Sequence, residues 1–219
     1  MIRAVIFDID GVVLDSERLH GEVESETAKN FGIDISPDEV VRLYSGVYIE
    51  TEYADMAKKA GKEMPFSEAL KITHKILKEK LEKPIPLIPN IKEILQLLQK
   101  NYALGFATSG DRIFVEEALR KNGILDYFKS QVYAADVGVP KPSPKIFLEA
   151  ARRLNVKPEE TLVIEDSESG FAGAKAAGML LIARKGNHNK DKDFAQADYV
   201  IEDLMEIPKI LKDVVDESM

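Results

Sequence analysis

Arg3-Ala4-Val5-Ile6-Phe7-Asp8-Ile9-Asp10-Gly11 opens with a short apolar, β-branched run that stops abruptly at two aspartates and a glycine. A run of this length, bounded by turn-forming residues, predicts a strand buried on both faces that leads into a loop. Beyond it, residues 16–83 carry only helical patterning: Ser16 could cap one helix marked by Leu19, Val23 and Phe31, and residues 37–44 and 50–60 suggest two more. Phe66, Leu70, Thr73, Leu77 and Leu81 continue an i, i+4, i+7 stripe until Pro84, Pro86 and Pro89 interrupt it. From Asn90 the grammar changes. Helices are expected over 91–99, 113–121, 144–154, 170–177 and 207–215, and strands over 102–107, 132–133, 161–164, 180–183 and 199–201. Alternation of this kind predicts an α/β fold, a parallel sheet between layers of helices with ligands at the carboxyl ends of the strands. The expected organisation is a core of 1–15 and 84–219 interrupted by a small helical domain, 16–83.

The bulk numbers narrow the function. The chain has 219 residues, is 45% hydrophobic and carries 38 acidic against 30 basic residues, for a net charge of -8. That charge opposes a phosphate backbone or an anionic membrane, so no nucleic-acid partner is expected. No apolar run approaches the roughly 20 residues needed to span a bilayer, and the first residues lack the features of a signal peptide. A cytoplasmic chain without a membrane partner is the expectation. With no cysteine, a metal must be held by oxygen ligands or by His20, His74 and His188, whose wide spacing suits zinc poorly.

Four polar clusters fall at or just beyond the expected strand ends: Asp8/Asp10, Thr108/Ser109, Lys141 and Glu165/Asp166. In a parallel sheet these ends share one edge, so strands scattered in sequence can assemble one site. Asp8 and Asp10, one residue apart in extended backbone, can point to the same side, one to attack phosphorus and the other to handle the leaving group's proton. Alone, Asp-x-Asp-Gly also reads as an ordinary turn. Gathering Asp8, Asp10, Glu165 and Asp166 on one edge calls for a cation, and all-oxygen ligation suits Mg²⁺. Glu165 and Asp166 could equally cap the helix after them. Thr108 and Ser109 before a helix can cradle phosphate or simply begin that helix. Lys141, fixed between Pro140 and Pro142, offers a preorganised ammonium.

Taken together, these residues resemble the haloacid dehalogenase superfamily, in the branch with a small helical cap inserted after the first motif. Residues 7–17, from Phe7-Asp8-Ile9-Asp10-Gly11 to Asp15-Ser16-Glu17, resemble its first motif, and Ala107-Thr108-Ser109 its second. Lys141-Pro142-Ser143-Pro144 is similar to the third and Ile164-Glu165-Asp166-Ser167 to the fourth, in the family's order. The resemblance implies a Rossmann-like core and a phosphatase with Asp8 as nucleophile and Asp10 as acid/base. It further implies phosphate binding by Thr108, Ser109 and Lys141. Mg²⁺ would be held by the Asp8 carboxylate, the Asp10 carbonyl and Asp166, with Glu165 assisting directly or through water. Dehalogenases of the superfamily lack the second aspartate, so halide displacement is not expected. The implied substrate is a small phosphorylated metabolite, such as a sugar or polyol phosphate, and the implied state a monomer. His20 sits where the branch's β-phosphoglucomutases have a cap-hinge histidine, which keeps phosphoryl transfer between sugar positions as an alternative. Gly46 matches the glycine of the relatives' substrate turn, but the basic residues that flank it in the mutase are absent. Tyr48 either lines the entrance or packs between helices. A non-catalytic phosphosugar-binding protein on the same fold is the remaining alternative.

Overall fold

The computed structural model describes residues 1–216. Six strands, β1 (Ala4–Phe7), β2 (Ala103–Thr108), β3 (Ser130–Tyr133), β4 (Thr161–Glu165), β5 (Leu180–Arg184) and β6 (Tyr199–Ile201), form one sheet. Every neighbouring pair is parallel, in the order β3-β2-β1-β4-β5-β6. The chain therefore winds outward from β1 in one direction and then returns to wind outward in the other. The switch lies at β1 and β4, where crossovers leave to opposite sides and open a crevice at the carboxyl ends. The crossover right-handedness expected of parallel strands needs helical connections, which the sequence between strands supplies.

The strands are apolar on both faces because both are covered. Val5 and Phe7 point into one core layer with Leu104, Phe106, Leu162 and Ile164, while Ile6 points into the other with Ala107, Val132, Val163 and Leu181. This two-residue alternation assigns adjacent side chains of β1 to opposite layers. The apolar run at the start of the sequence is thus a central strand, fully buried.

Between β1 and β2 the chain forms four helices, α1 (Glu17–Lys29), α2 (Pro37–Tyr44), α3 (Ile49–Ala60) and α4 (Phe66–Lys80), before α5 (Ile91–Leu98) returns to the sheet. Two of them, α2 and α3, start or stop for a plain local reason. Ser36 caps α2 in a reciprocal box with Glu39, with Pro37 in the first turn. Gly61, left-handed at φ 60, ends α3. The helices have a small core of their own, including Ala28, Val40, Tyr53 and Met56, while Val23, Ile76 and Leu77 join the layer under the sheet. The remaining helices are α6 (Arg112–Lys121), α7 (Ala134–Val137), α8 (Lys145–Leu154), α9 (Glu168–Ala176) and α10 (Ile207–Asp216).

Two details differ from the sequence reading. Ser16 stands at the N-cap of α1 but makes no side-chain cap bond; its hydroxyl goes to Asp10 instead. Ahead of α9 the capping is done by Ser167, which accepts the Gly170 N–H, and not by Glu165 or Asp166.

Candidate active site

Asp8 follows β1 directly, Thr108 and Glu165 are the last residues of β2 and β4, and Asp166 follows Glu165. The register aligns Phe7 with both Phe106 and Ile164, so these strand ends stop at one level of the sheet. Lys141 arrives from the loop between α7 and α8. Its Nζ donates to Asp8 Oδ1 and to Glu165 Oε1, each at 2.5 Å, with all three groups buried. Burial opposes the charge on Lys141, but Asp8 and Glu165 outweigh it and hold the ammonium well above the ordinary lysine range. The second oxygen of Glu165 accepts the N–H groups of Asp166 and Ser167 and the Ser167 hydroxyl, at 2.9 to 3.0 Å. Glu165 thereby ties the lysine to the loop after β4.

Asp8 is pushed well above the usual carboxylate range, first by burial, then by the charges of Glu165, Asp166 and Asp10, against which Lys141 acts alone. Asp166 is raised in the same way by burial, Glu17 and Glu165. Asp8, Glu165 and Asp166 each bring a carboxylate oxygen within 4.8 Å of the others. This is excess negative charge on hard oxygen donors that one ammonium does not neutralise, and it fits a divalent cation. A second trio, Glu17, Asp166 and His188, meets the same spacing and shares Asp166, whose Oδ2 lies 2.6 Å from His188 Nε2.

Asp10 sits differently. Its Oδ1 accepts the Ser16 hydroxyl at 2.5 Å and faces His20 Nε2 at 2.9 Å. Burial would raise Asp10, yet the His20 charge, the two hydrogen bonds and Lys141 together keep it below its ordinary value. His20 in turn resists burial because Asp10 pulls it up to about 9. The histidine rests on Phe114, with ring centroids 4.9 Å apart. The pair is therefore an ion pair holding one proton, across the boundary between α1 and the sheet edge.

Above these groups lies a cavity of about 340 Å³. Asp8, Asp10, Lys141 and Asp166 form its floor, Thr108 and Ser109 one side, and His20, Gly46 and Tyr48 part of its roof. Of the residues that the family resemblance implied for the site, every one lines this cavity except Glu165, which is wholly buried behind Lys141; His188 also lies outside the cavity lining. The Thr108 hydroxyl accepts the Gly110 N–H at 2.9 Å and so shapes the turn into α6. Gly46, at φ 79, packs directly on Ser167, and its carbonyl accepts the Ser169 hydroxyl at 2.8 Å. The helical segment is thus latched to the loop after β4.

Several wall residues received no role in the sequence reading, although Glu17 lay within the first motif. Glu17, Glu24 and Glu52 come from α1 and α3, and Asp111 and Arg112 from the start of α6. Glu24 and Glu52 had no signal beyond acidic residues on helices, which usually face solvent. Arg112 is engaged by Asp136 at 2.5 Å and lies 4.0 Å over the Tyr133 ring.

Residues 5–184 match a family model described as haloacid dehalogenase-like hydrolase. The chain is 31% identical to a glyceraldehyde 3-phosphate phosphatase of Methanopyrus kandleri, over 99% of this chain and 98% of that one. It is 33% identical to a β-phosphoglucomutase of Bacillus subtilis, over 83% and 82% of the two chains. Among solved structures, CbbY from Rhodobacter sphaeroides in complex with xylulose-(1,5)bisphosphate superposes with a TM-score of 0.81 at 26% identity, covering 92% of this chain and 94% of the other.

Proposed function

Because this chain belongs to the haloacid dehalogenase-like hydrolase family, we propose that it hydrolyses a small phosphorylated carbohydrate through an aspartyl-phosphate on Asp8. The observation that carries this reading is the Asp8–Lys141–Glu165 arrangement below the cavity. It fixes one carboxylate oxygen of Asp8 by an ammonium and leaves the carboxylate facing the space where a phosphoryl group would sit. In this reading an Asp8 oxygen bonds to phosphorus as the ester P–O bond breaks. The departing oxygen takes a proton from the Asp10–His20 pair. A water then attacks the acyl-phosphate phosphorus, gives its proton back to Asp10 and releases inorganic phosphate, which restores Asp8. Lys141 compensates charge on the phosphoryl oxygens, with Thr108 and Ser109 beside it. A Mg²⁺ ion held by Asp8, Asp166 and the Asp10 carbonyl, with Glu165 close by, would supply electrostatic stabilisation of the transferring group. Helices α1–α4 would act as the cap that excludes water.

The reading is tested with Asp8→Asn and an aryl phosphate in Mg²⁺. Turnover is expected to fall by about a thousandfold or more, and a variant close to wild type would end the proposal. The His20–Asp10 ion pair favours one second reading, phosphoryl transfer between two positions of a sugar. Release of free phosphate, against formation of an isomeric sugar phosphate, separates the two.

A further inference from the structure

The segment that ends β5 and follows it sets three polar side chains against the acidic edge, and the proposed chemistry uses none of them. Arg184, the last residue of β5, is buried, and its Nη1 donates to the Gly11 carbonyl at 2.5 Å, one residue past Asp10. Asn189 is buried too. Its Nδ2 donates to the carbonyls of Asp166 and Arg184, at 2.7 and 2.9 Å, and its Oδ1 accepts the Gly186 N–H at 2.7 Å. This amide ties the end of β5 to the residue that follows β4. Beside it stands His188, whose Nε2 lies 2.6 Å from Asp166 Oδ2. Among the described residues no other group hydrogen-bonds to the Asp166 carboxyl.

Asp166 Oδ2 is boxed in. A Cβ built on Gly11 would come within 1.8 Å of it and 3.0 Å of His188 Nε2, so the oxygen fits between the loop after β1 and the imidazole only because residue 11 is glycine. Asp166 lines the cavity, whereas His188 and the rest of the loop after β5 do not. The histidine thus holds the carboxyl group from outside the cavity, with Oδ2 taken and Oδ1 left without a donor. An ionised carboxylate only accepts, so Nε2 is the donor in that state. Glu17, the other acid beside His188, is engaged by the Ser45 hydroxyl. Hydrogen bonds to metal-binding carboxylates fix their orientation, and removing such a partner typically costs about 10–100-fold in metal affinity.

We propose that His188 is a positioning residue for a divalent cation. Its Nε2 pins Asp166 Oδ2 and so presents the other oxygen of that carboxylate to the ion, while Arg184 and Asn189 fix the backbone at Gly11 and Asp166. The proposal rests on the reading of Asp166 as a cation ligand. It makes a loop that contributes no residue to the cavity part of what sets the affinity for the ion.

The test measures Mg²⁺ binding itself, by isothermal titration calorimetry of metal-free protein, in the wild type, His188→Phe, His188→Gln and Asp166→Asn. His188→Phe keeps a ring and removes the donor, and its dissociation constant for Mg²⁺ should rise about tenfold or more. His188→Gln carries an amide N–H that reaches the position of Nε2, and it should recover most of that loss. With an aryl phosphate, the Mg²⁺ concentration for half-maximal rate should rise in His188→Phe by the same factor, while kcat at saturating Mg²⁺ stays close to wild type. A residue that only packs the loop would lower Tm in chelator and leave the Mg²⁺ affinity unchanged, and that result overturns the proposal. Equal losses of affinity in His188→Phe and His188→Gln overturn it as well. So does pulsed EPR with Mn²⁺ in place of Mg²⁺ if it detects an imidazole nitrogen bound to the ion, because His188 is then a ligand. If His188→Phe does not fold, His188→Ala takes its place. Asp166→Asn separates the two kinds of failure. Wild-type affinity in that variant removes the ligand assignment and the proposal with it, whereas weak binding there beside wild-type affinity in His188→Phe ends the proposal alone.

Discussion

Gly170 has no room for a methyl group. A Cβ built there runs into the carboxyl group of Glu165, whose two oxygens hold Lys141 on one side and the Asp166 and Ser167 amides on the other. Gly170→Ala is therefore expected to displace Glu165 and, through it, the ammonium beside Asp8. We expect kcat for an aryl phosphate to fall about tenfold or more, with a loss of about 1–3 kcal/mol in stability. Steady-state kinetics and thermal unfolding check both, and a variant with wild-type kcat would show that Glu165 does not position Lys141. This residue-level coupling also marks the limit of what could be read beforehand. Asp8, Asp10, Lys141 and Asp166 stood out because each follows an apolar strand or sits between prolines, signals local to the chain. Glu24, Glu52 and His188 had no such signal. Their neighbours come from other elements, so an acid that faces a cavity and one that faces water look alike on a helical wheel. Ser16 was misread for a related reason: Ser before a helix is a common cap, and only the fold brings Asp10 close enough to take its hydroxyl.

The elements themselves were more legible, because patterning repeats over many residues and proline or glycine marks the ends. The expected helix over 37–44 is α2, and the weak expected strand over 132–133 is the end of β3. The expected strands at 102–107 and 161–164 stop one residue short of β2 and β4. Thr108 and Glu165 pair within the sheet, where polar residues at a strand end look like the start of a loop. Packing among the helices of the insert was less accessible. Thr73 on α4 donates to the Ala69 carbonyl at 2.9 Å, lies 3.2 Å from the Thr27 hydroxyl of α1 and 2.7 Å from the Tyr53 hydroxyl of α3. Three helices thus meet at one buried oxygen inside an apolar core. Burial holds the Tyr53 hydroxyl far above the ordinary tyrosine range, so it remains a donor at any working pH. Tyr53→Phe keeps the ring and removes that donor. A loss of about 1–2 kcal/mol is expected, or a few degrees in Tm for a chain of this size. Calorimetry measures it, and an unchanged Tm would mean that the contact contributes nothing net.

At the scale of the whole molecule, the sheet order gathers charge that the sequence keeps apart. Position 8 is far along the chain from positions 165 and 166, but β1 and β4 are neighbours at the switch point, so their carboxylates share a buried edge. The fold bears this repulsion, visible in the raised Asp8 and Asp166, and a ligand that relieves it must stabilise the native state over the unfolded one. Mg²⁺ should therefore raise Tm with no substrate present. At a hundredfold excess over its dissociation constant the gain is about 2.7 kcal/mol, which for a chain of this length is roughly 5–10 °C. The sign of the pH dependence follows from the same carboxylates. Because their proton affinity is raised, protons compete with the cation in mildly acidic solution, and the shift in Tm should grow as pH increases from about 5.5 to 8. Asp166→Asn removes a proposed ligand while keeping the Asp8 side chain, and its Tm should respond far less to Mg²⁺ than that of the wild type. Differential scanning calorimetry with Mg²⁺ and with a chelator makes the comparison. Equal shifts in the two proteins would place the cation elsewhere, and no shift in the wild type would leave the acidic edge neutralised by protons and Lys141 alone.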